Sequence, residues 1–249
     1  MSIFSTPLVA DSVARVLAAL SNHAPKPRRR FADLAADITP IEVPTRHGPV
    51  SCVIYRAPGG PDEQPGERSP VYVNLHGGGF VVRYPQQDDP WCRYLAAHAG
   101  VVVVNVDYDT APRHRFPIPV EQAYDVVTWA ADPGRDWDGS RLCVGGQSAG
   151  GNLAAAVARL ALDGGAPQIA LQVLHYPVLD LVTPSADKPA VQGRRAVPVW
   201  MGQVFDQAYL PDPDQRAYPR LPRVGRQRRE HHRHRPHPGD HRRTGQPAR

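Results

Sequence analysis

Cysteine is scarce in this chain. Cys52, Cys92 and Cys143 are the only three among 249 residues. Their odd number and wide spacing exclude a disulfide framework and the paired spacings of a zinc site. Cys52 and Cys143 lie inside apolar runs, so buried structural thiols are expected there. Long apolar runs are also lacking: no stretch approaches the ~18–20 residues of a membrane-spanning helix. The first residues carry no basic segment followed by an apolar one. No secretory leader is expected, and a cytoplasmic location is the default. Lysine is almost absent, with Lys26 and Lys188 against 27 arginines, a bias that a GC-rich coding sequence produces.

The main body also lacks a surplus of either charge. The formal net charge is +5, yet nine arginines and only two acids, Glu230 and Asp240, fall in 221–249. Residues 1–220 keep 20 basic and 22 acidic side chains. Nucleic-acid binding would therefore rest on the tail alone, and no nucleic-acid partner is expected. The tail histidines His231, His232, His234, His237 and His241 have no Cys or acid at ligand spacing, so no specific metal site is expected.

What is present is an alternation of patterns. Val9, Val13, Val16, Leu17 and Leu20 recur at helical spacing and predict a helix over roughly 8–21, ended by Pro25 and Pro27. It is either a packing helix or a mobile flap over a pocket. Strands are predicted at Val50–Tyr55 and Val71–Leu75, separated by a loop, Ala57–Pro70, rich in Gly, Pro and charge. Helix Trp91–Ala99, strand Val101–Val106, helix Pro119–Ala131, strand Arg141–Gly145, helix Ala149–Leu162 and strand Ile169–His175 follow. Gly164-Gly165 is the stop signal of the last helix. The β-branched run Val101–Val106 reads as a strand buried on both faces, and Ile169–His175 as another buried strand. Such alternation argues for an α/β fold with a mostly parallel sheet covered by helices on both sides. After about Asp180 the pattern breaks into scattered prolines, two helical fragments and Trp200, as a cap insertion over about 183–215 would.

Two motifs carry chemistry. Gly146-Gln147-Ser148-Ala149-Gly150 matches G-x-S-x-G between a predicted strand and helix, the context this motif requires. A serine on so sharp a turn is strained, and small neighbours relieve the crowding. Its hydroxyl then sits over a helix N-terminus, where partial positive charge favours a developing anion. The bland reading is a glycine-rich turn with an incidental serine. The second motif, His76-Gly77-Gly78-Gly79, directly follows Val71–Leu75. Successive glycines let backbone N–H groups face a cavity, where they can hold the oxyanion of a tetrahedral intermediate. A flexible loop or a phosphate cradle are the alternatives, and the absence of a following Lys-Ser/Thr excludes a nucleotide P-loop. Taken together, one motif supplies a nucleophile and the other an anion pocket.

With these segments in view, the chain resembles the bacterial hormone-sensitive-lipase-like esterases, the HGGG-marked branch of the α/β-hydrolases. The resemblance rests on His76-Gly77-Gly78-Gly79-Phe80, Val106-Asp107-Tyr108 with Ala111-Pro112 and Phe116-Pro117, Gly145–Ala154, and Leu174-His175-Tyr176-Pro177-Val178-Leu179-Asp180. It covers about 70–220 well and 1–70 loosely. It implies an N-terminal cap region over 1–45 and a hydrolase core over 46–220. It also implies Ser148 as nucleophile, an oxyanion hole from the N–H groups of Gly78, Gly79 and Ala149, no cofactor, and short- to medium-chain carboxylic esters as substrates. His76, Gly77, Gly146 and Gly150 would support the two motifs. Departures exist. Asp109 and Arg113 stand where the family often has Arg and Glu, and the swapped signs suggest a compensating ion pair. Gln147 stands where an acid is common.

The resemblance stops near Arg220. The family places a catalytic Asp and then a His beyond that point. Here 221–249 holds only Leu221, Val224 and Ala248 of the apolar set, and both catalytic residues are absent. Activity of this chain is therefore expected to be impaired. The alternative is a catalytically dead protein that binds a small ligand in the ester pocket. The tail reads either as a disordered basic extension or as a frameshift product. Read one base later, with Arg taken as CGN, the codons of Glu230–Arg243 permit Asn-Ile-Thr-Ala-Ile-Ala-Pro-Thr-Leu-Val-Thr-Thr-Ala-Glu, a buried strand. The codon overlapping Gly245 permits Asp. The gene sequence decides: a single-base correction near codon 220 should open a longer frame containing Asp-x-Leu and His-Gly, and a closed frame there rules the idea out.

Overall fold

Valine-rich segments build the centre of the sheet, because branched side chains pack well on a pleated surface buried on both faces. The computed structural model describes residues 2–23, 31–59, 68–190 and 194–212. Its strands are β1 (Asp37–Val43), β2 (Val50–Arg56), β3 (Pro70–Leu75), β4 (Val102–Val106), β5 (Asp138–Gln147) and β6 (Leu171–His175). They form one six-stranded sheet in the order β1-β2-β4-β3-β5-β6. β1 and β2 run antiparallel as a hairpin, and β2 pairs antiparallel with β4. The pairs β4–β3, β3–β5 and β5–β6 are parallel. The helices are α1 (Pro7–His23), α2 (Asp89–Ala99), α3 (Ile118–Ala130), α4 (Ala149–Gly164) and α5 (Val199–Tyr209).

The period of two along each strand separates the faces. Val71, Val73 and Leu75 join Val102, Val104, Val106, Leu142 and Val144 in the larger core, against α3 and α4. Tyr72 and Val103 point the other way, to Cys92 and Ala96 of α2. Each fully buried valine contributes about 1.5–3 kcal/mol of transfer free energy. α4 places Leu153, Val157 and Leu160 on this core at helical spacing, while Leu162 looks outward at 74% exposure. The chain leaves α4 through Gly165 at φ 76°, a left-handed cap that glycine adopts without strain.

Several elements differ from the sequence expectation. Residues 169–175 were expected to be buried on both faces; β6 starts at Leu171 and is an edge strand, with Leu171 55% exposed and none of its five residues buried. Its apolar character remains, but among the described residues no strand pairs with its outer side. β1, inside the stretch expected to be cap, is a strand of the sheet. α2 begins at Asp89, with Pro90 in its first turn, where a missing N–H costs nothing. Among the described residues of 183–215 one helix forms, α5. Cys52 is buried, and burial pushes its thiol up to about 12; Cys143, expected to be buried, is half-buried. The expected helix stop at Pro25 and Pro27 and the basic tail 221–249 lie outside the described residues.

Polar side chains enter the interior where β3 and β4 end. Asn74 Nδ2 donates to Asn105 Oδ1 and to Asp88 Oδ2, both at 2.9 Å, and Asn105 Nδ2 donates to the Pro85 carbonyl at 3.0 Å. His76, fully buried, stacks on Tyr108 with ring centres 4.2 Å apart. Its Nδ1–H donates to the Gly77 carbonyl at 2.7 Å, and the Tyr108 hydroxyl donates to the His76 carbonyl at 2.6 Å. Burial holds the His76 imidazole neutral, lowering its pKa from 6.5 to about 4. The unfolded chain takes up this proton near pH 6.5 and the folded chain only near pH 4. The stability from neutral His76 is thus complete above the higher value and is lost as pH falls through the window, by about 3 kcal/mol at most. Urea titrations at the two ends of the window should show this loss in the native chain and a flatter response in His76→Asn. Identical pH responses would show that His76 does not carry it.

Candidate active site

β5 ends in a turn that places Ser148 at φ 52° and ψ −115°. A non-glycine residue there stores about 1–3 kcal/mol of strain, so the surroundings must hold it. They do so through three backbone hydrogen bonds. The Ser148 N–H donates to the His175 carbonyl at 2.9 Å, and the Ser148 carbonyl accepts from Asn152 N–H at 3.1 Å and Val178 N–H at 3.2 Å. Asn152 Nδ2 adds a bond to the Val178 carbonyl at 2.7 Å. The half-buried Ser148 hydroxyl itself makes no hydrogen bond among the described residues.

The motif glycines are required by contact. A Cβ on Gly150 would overlap the Leu75 carbonyl and lie 2.5 Å from the His76 carbonyl oxygen; one on Gly146 would strike the Leu75 carbonyl and sit 2.6 Å from the Gly150 backbone. The end of β3 therefore lies directly against the Ser148 turn. Gly77 continues the contact, since its Cβ would lie 3.2 Å from the Gln147 carbonyl oxygen. Gly78 and Gly79 follow at φ 135° and 59°, and the Gly78 carbonyl accepts from Val81 and Val82 N–H at 3.1 and 2.9 Å. The N–H groups of Gly78 and Gly79 donate to no acceptor among the described residues. Ala149 is the first residue of α4, so its N–H has no intrahelical acceptor. The sequence-predicted residues His76, Gly77, Gly78, Gly79, Gly146, Ser148, Ala149 and Gly150 thus converge on one place.

α5 covers the glycine loop. A Cβ on Gly79 would overlap the Phe205 ring, and Phe80 stacks on Tyr209 with ring centres 3.9 Å apart. Arg115 ties this cover to α1: Nη1 donates to the Gln207 and Ala208 carbonyls at 3.1 and 2.5 Å, and Nη2 pairs with Asp11 at 2.6 Å.

The expected compensation between Asp109 and Arg113 does not form. Asp109 lies 2.7 Å from His114 Nδ1, pairs with Arg83 at 3.2 Å and accepts from Gln122 Nε2 at 2.8 Å, while Arg113 is exposed. Gln147 Nε2 donates to Asp88, and Gln147 Oε1 accepts from the Tyr176 hydroxyl. Motif reading missed Asp88 and gave Tyr176, part of a matching segment, no role. A usable signal was Asn74 and Asn105 within valine strands, since a buried amide needs a polar partner. No histidine side chain hydrogen-bonds to Ser148 among the described residues. His175 meets Trp91 edge-on at 5.0 Å, His98 lies 4.7 Å from Tyr94, and His47 pairs with Glu121 at 2.5 Å. No group of three or more His, Cys, Asp or Glu is placed to hold a metal among the described residues, and no helix there is long and apolar enough to cross a membrane.

Comparison with known proteins agrees with this architecture. The model of the alpha/beta hydrolase fold family matches residues 72–231. Esterase LipI of Mycobacterium tuberculosis is 38% identical over 169 residues, which are 67% of this chain and 50% of that protein. Ethyl acetate hydrolase of Pseudomonas putida is 33% identical over 227 residues, covering 84% of this chain and 70% of that one. A hyperthermophilic esterase from the archaeon Pyrobaculum calidifontis superposes with a TM-score of 0.65 at 33% identity, over 88% of this chain and 66% of its own. The chain spans about half the length of LipI. Sheet order, the glycine-bound turn at Ser148 and these matches place the chain in the α/β-hydrolase family.

Proposed function

We propose that this chain carries the nucleophile and the anion pocket of a carboxylic ester hydrolase. Ser148 is the nucleophile, and the N–H groups of Gly78, Gly79 and Ala149 form the oxyanion hole. The supporting observation is the pairing of a strained serine, whose hydroxyl has no partner among the described residues, with a contacting glycine loop whose amides have none either. Ser148 Oγ attacks the ester carbonyl, its proton passing to a base. The carbonyl oxygen becomes an oxyanion, which the three N–H groups stabilise before the alcohol leaves. Water then releases the acyl group. The names of the relatives, an esterase and an ethyl acetate hydrolase, support small esters as substrates.

A base is the part that no described residue supplies. Loss of a triad member typically leaves ~10³–10⁴-fold catalysis over water, from the oxyanion hole and binding, so the chain should be a weak esterase. The same absence favours a second reading, a binding protein that retains the ester pocket without turnover. Hydrolysis of p-nitrophenyl esters of short and medium acyl chains separates the two. Slow turnover above that of Ser148→Ala is expected. Turnover indistinguishable between the two proteins would remove Ser148 from catalysis and leave the binding reading.

A further inference from the structure

A short 3₁₀ turn at Pro85–Asp88 lies outside both motifs and reaches both of them. Its base is fixed. Asn105 Nδ2 donates to the Pro85 carbonyl at 3.0 Å. Asp88 leads directly into α2, whose Cys92 and Ala96 are buried with Tyr72 and Val103. Two adjacent side chains of the turn then extend to the two halves of the site. Gln87 Nε2 donates to the Gly77 carbonyl at 2.8 Å, in the glycine loop. Asp88 is buried and accepts from Gln147 Nε2, on the residue before Ser148, and from Asn74 Nδ2 at 2.9 Å. The Tyr176 hydroxyl donates to the other end of the same Gln147 amide. The two ties lie side by side, since a Cβ on Gly77 would be 3.2 Å from Gln147 Cγ.

We infer that Gln87 and Asp88 are positioning residues of the ester-cleaving site: Gln87 aims the Gly78 N–H at the oxyanion, and Asp88, through Gln147, holds the Ser148 turn in register with it. The inference rests on the reading of Ser148 as nucleophile and of the glycine amides as the oxyanion hole. Its physical basis is the peptide unit. The Gly77 carbonyl and the Gly78 N–H belong to one planar trans amide, so they point in opposite directions. Whatever holds the oxygen sets the direction of the donor. His76 Nδ1 also donates to this oxygen, at 2.7 Å, but from the adjacent residue of the same loop. Gln87 ties the oxygen to a separate element. Gly78, at φ 135°, has no side chain to restrict its own torsions, so an external tie has most effect there. Donors of this kind stabilise a developing charge when they are fixed before reaction. The second tie has a direction. Gln147 donates to Asp88 and accepts from Tyr176. A glutamate at position 147 would set two carboxyl groups against each other, and an asparagine at position 88 would supply the missing donor.

The test measures kcat and KM for p-nitrophenyl butyrate in the full chain, with Ser148→Ala as control, beside the NMR amide signals of the same chain labelled with ¹⁵N-glycine. Gln87→Met keeps the length of the side chain and removes its donor. Its kcat should fall about tenfold, a share of the ~10²–10³ lost when an oxyanion donor is removed outright, with KM within about twofold. The Gly78 amide signal should move, while those of the distant Gly100 and Gly165 stay in place. Gln147→Glu should also lower kcat, and adding Asp88→Asn should recover most of that loss, which a loss of packing alone would not allow. An unchanged kcat in Gln87→Met where native turnover needs Ser148, an unchanged Gly78 signal, or a double variant no better than Gln147→Glu overturns the inference. If Gln147→Glu does not fold, Gln87→Met decides. Native turnover no faster than that of Ser148→Ala removes the nucleophile instead, and the Gly78 signal in Gln87→Met then decides whether Gln87 aims that amide.

Discussion

The end of β3 lies so close to the first turn of α4 that a single methyl group cannot fit between them. A side chain at Gly150 would occupy the space of the Leu75 and His76 carbonyls, and one at Gly146 would meet Leu75 and Gly150. The consequences run outward from this contact. It brings the His76–Gly79 loop against the Ser148 turn, so backbone amides from two separate crossovers share one cleft. It also pushes the His76 ring into the interior, onto Tyr108, where burial keeps it neutral. Close packing of backbone on backbone leaves no freedom for adjustment, which is what an anion pocket made of amides needs if it is to be fixed before reaction.

The strain stored at Ser148 is offset by its neighbours in an uneven way. On one side stand β3 and β4, with Leu75, Val104 and Val106 fully buried. On the other side the Ser148 N–H depends on the carbonyl of His175, the last residue of β6. β6 is the edge of the described sheet and has no buried residue. The serine turn is thus fastened at one end to the most secure part of the fold and at the other to a strand with half its backbone groups unpaired within the sheet. Edge strands of this kind open at low cost and invite pairing with other chains. Exposed Leu171 and Tyr176 add apolar surface at the same edge. Local opening of β6 would release Ser148 from its strained conformation before the core unfolds.

The valine runs made the central strands legible, because continuous β-branched segments have few alternatives in a helix-covered sheet. The glycine motifs made the site legible, since their spacing follows from contact geometry that recurs wherever such a turn is built. What was illegible depends on distant pairing. Ile169–His175 has the composition of a buried strand, and only the sheet order shows it at an edge. β1 carries Pro40 and Glu42 in a mostly exposed pattern and becomes a strand through its hairpin with β2. Asp109 was matched to Arg113, when it lies against the next residue, His114, and against Arg83 from another loop. Asp88 and Tyr176 sit far apart in the chain and meet only through Gln147. The polar residues Asn74 and Asn105 did mark the buried network, because an amide inside a valine strand is unfavourable without a partner.

The two halves of an ester-cleaving site differ in how they can be lost. In the proposed hydrolase the anion half is backbone N–H groups, and those of Gly78 and Gly79 belong to residues where a Cβ would clash. It persists as long as the fold persists. The base half rests on one imidazole and one carboxylate, side chains that contribute little to packing. The packing of the sheet, the glycine loop and the serine turn does not depend on them. Anion stabilisation by backbone and proton transfer by side chains are in this way supported by different parts of the fold.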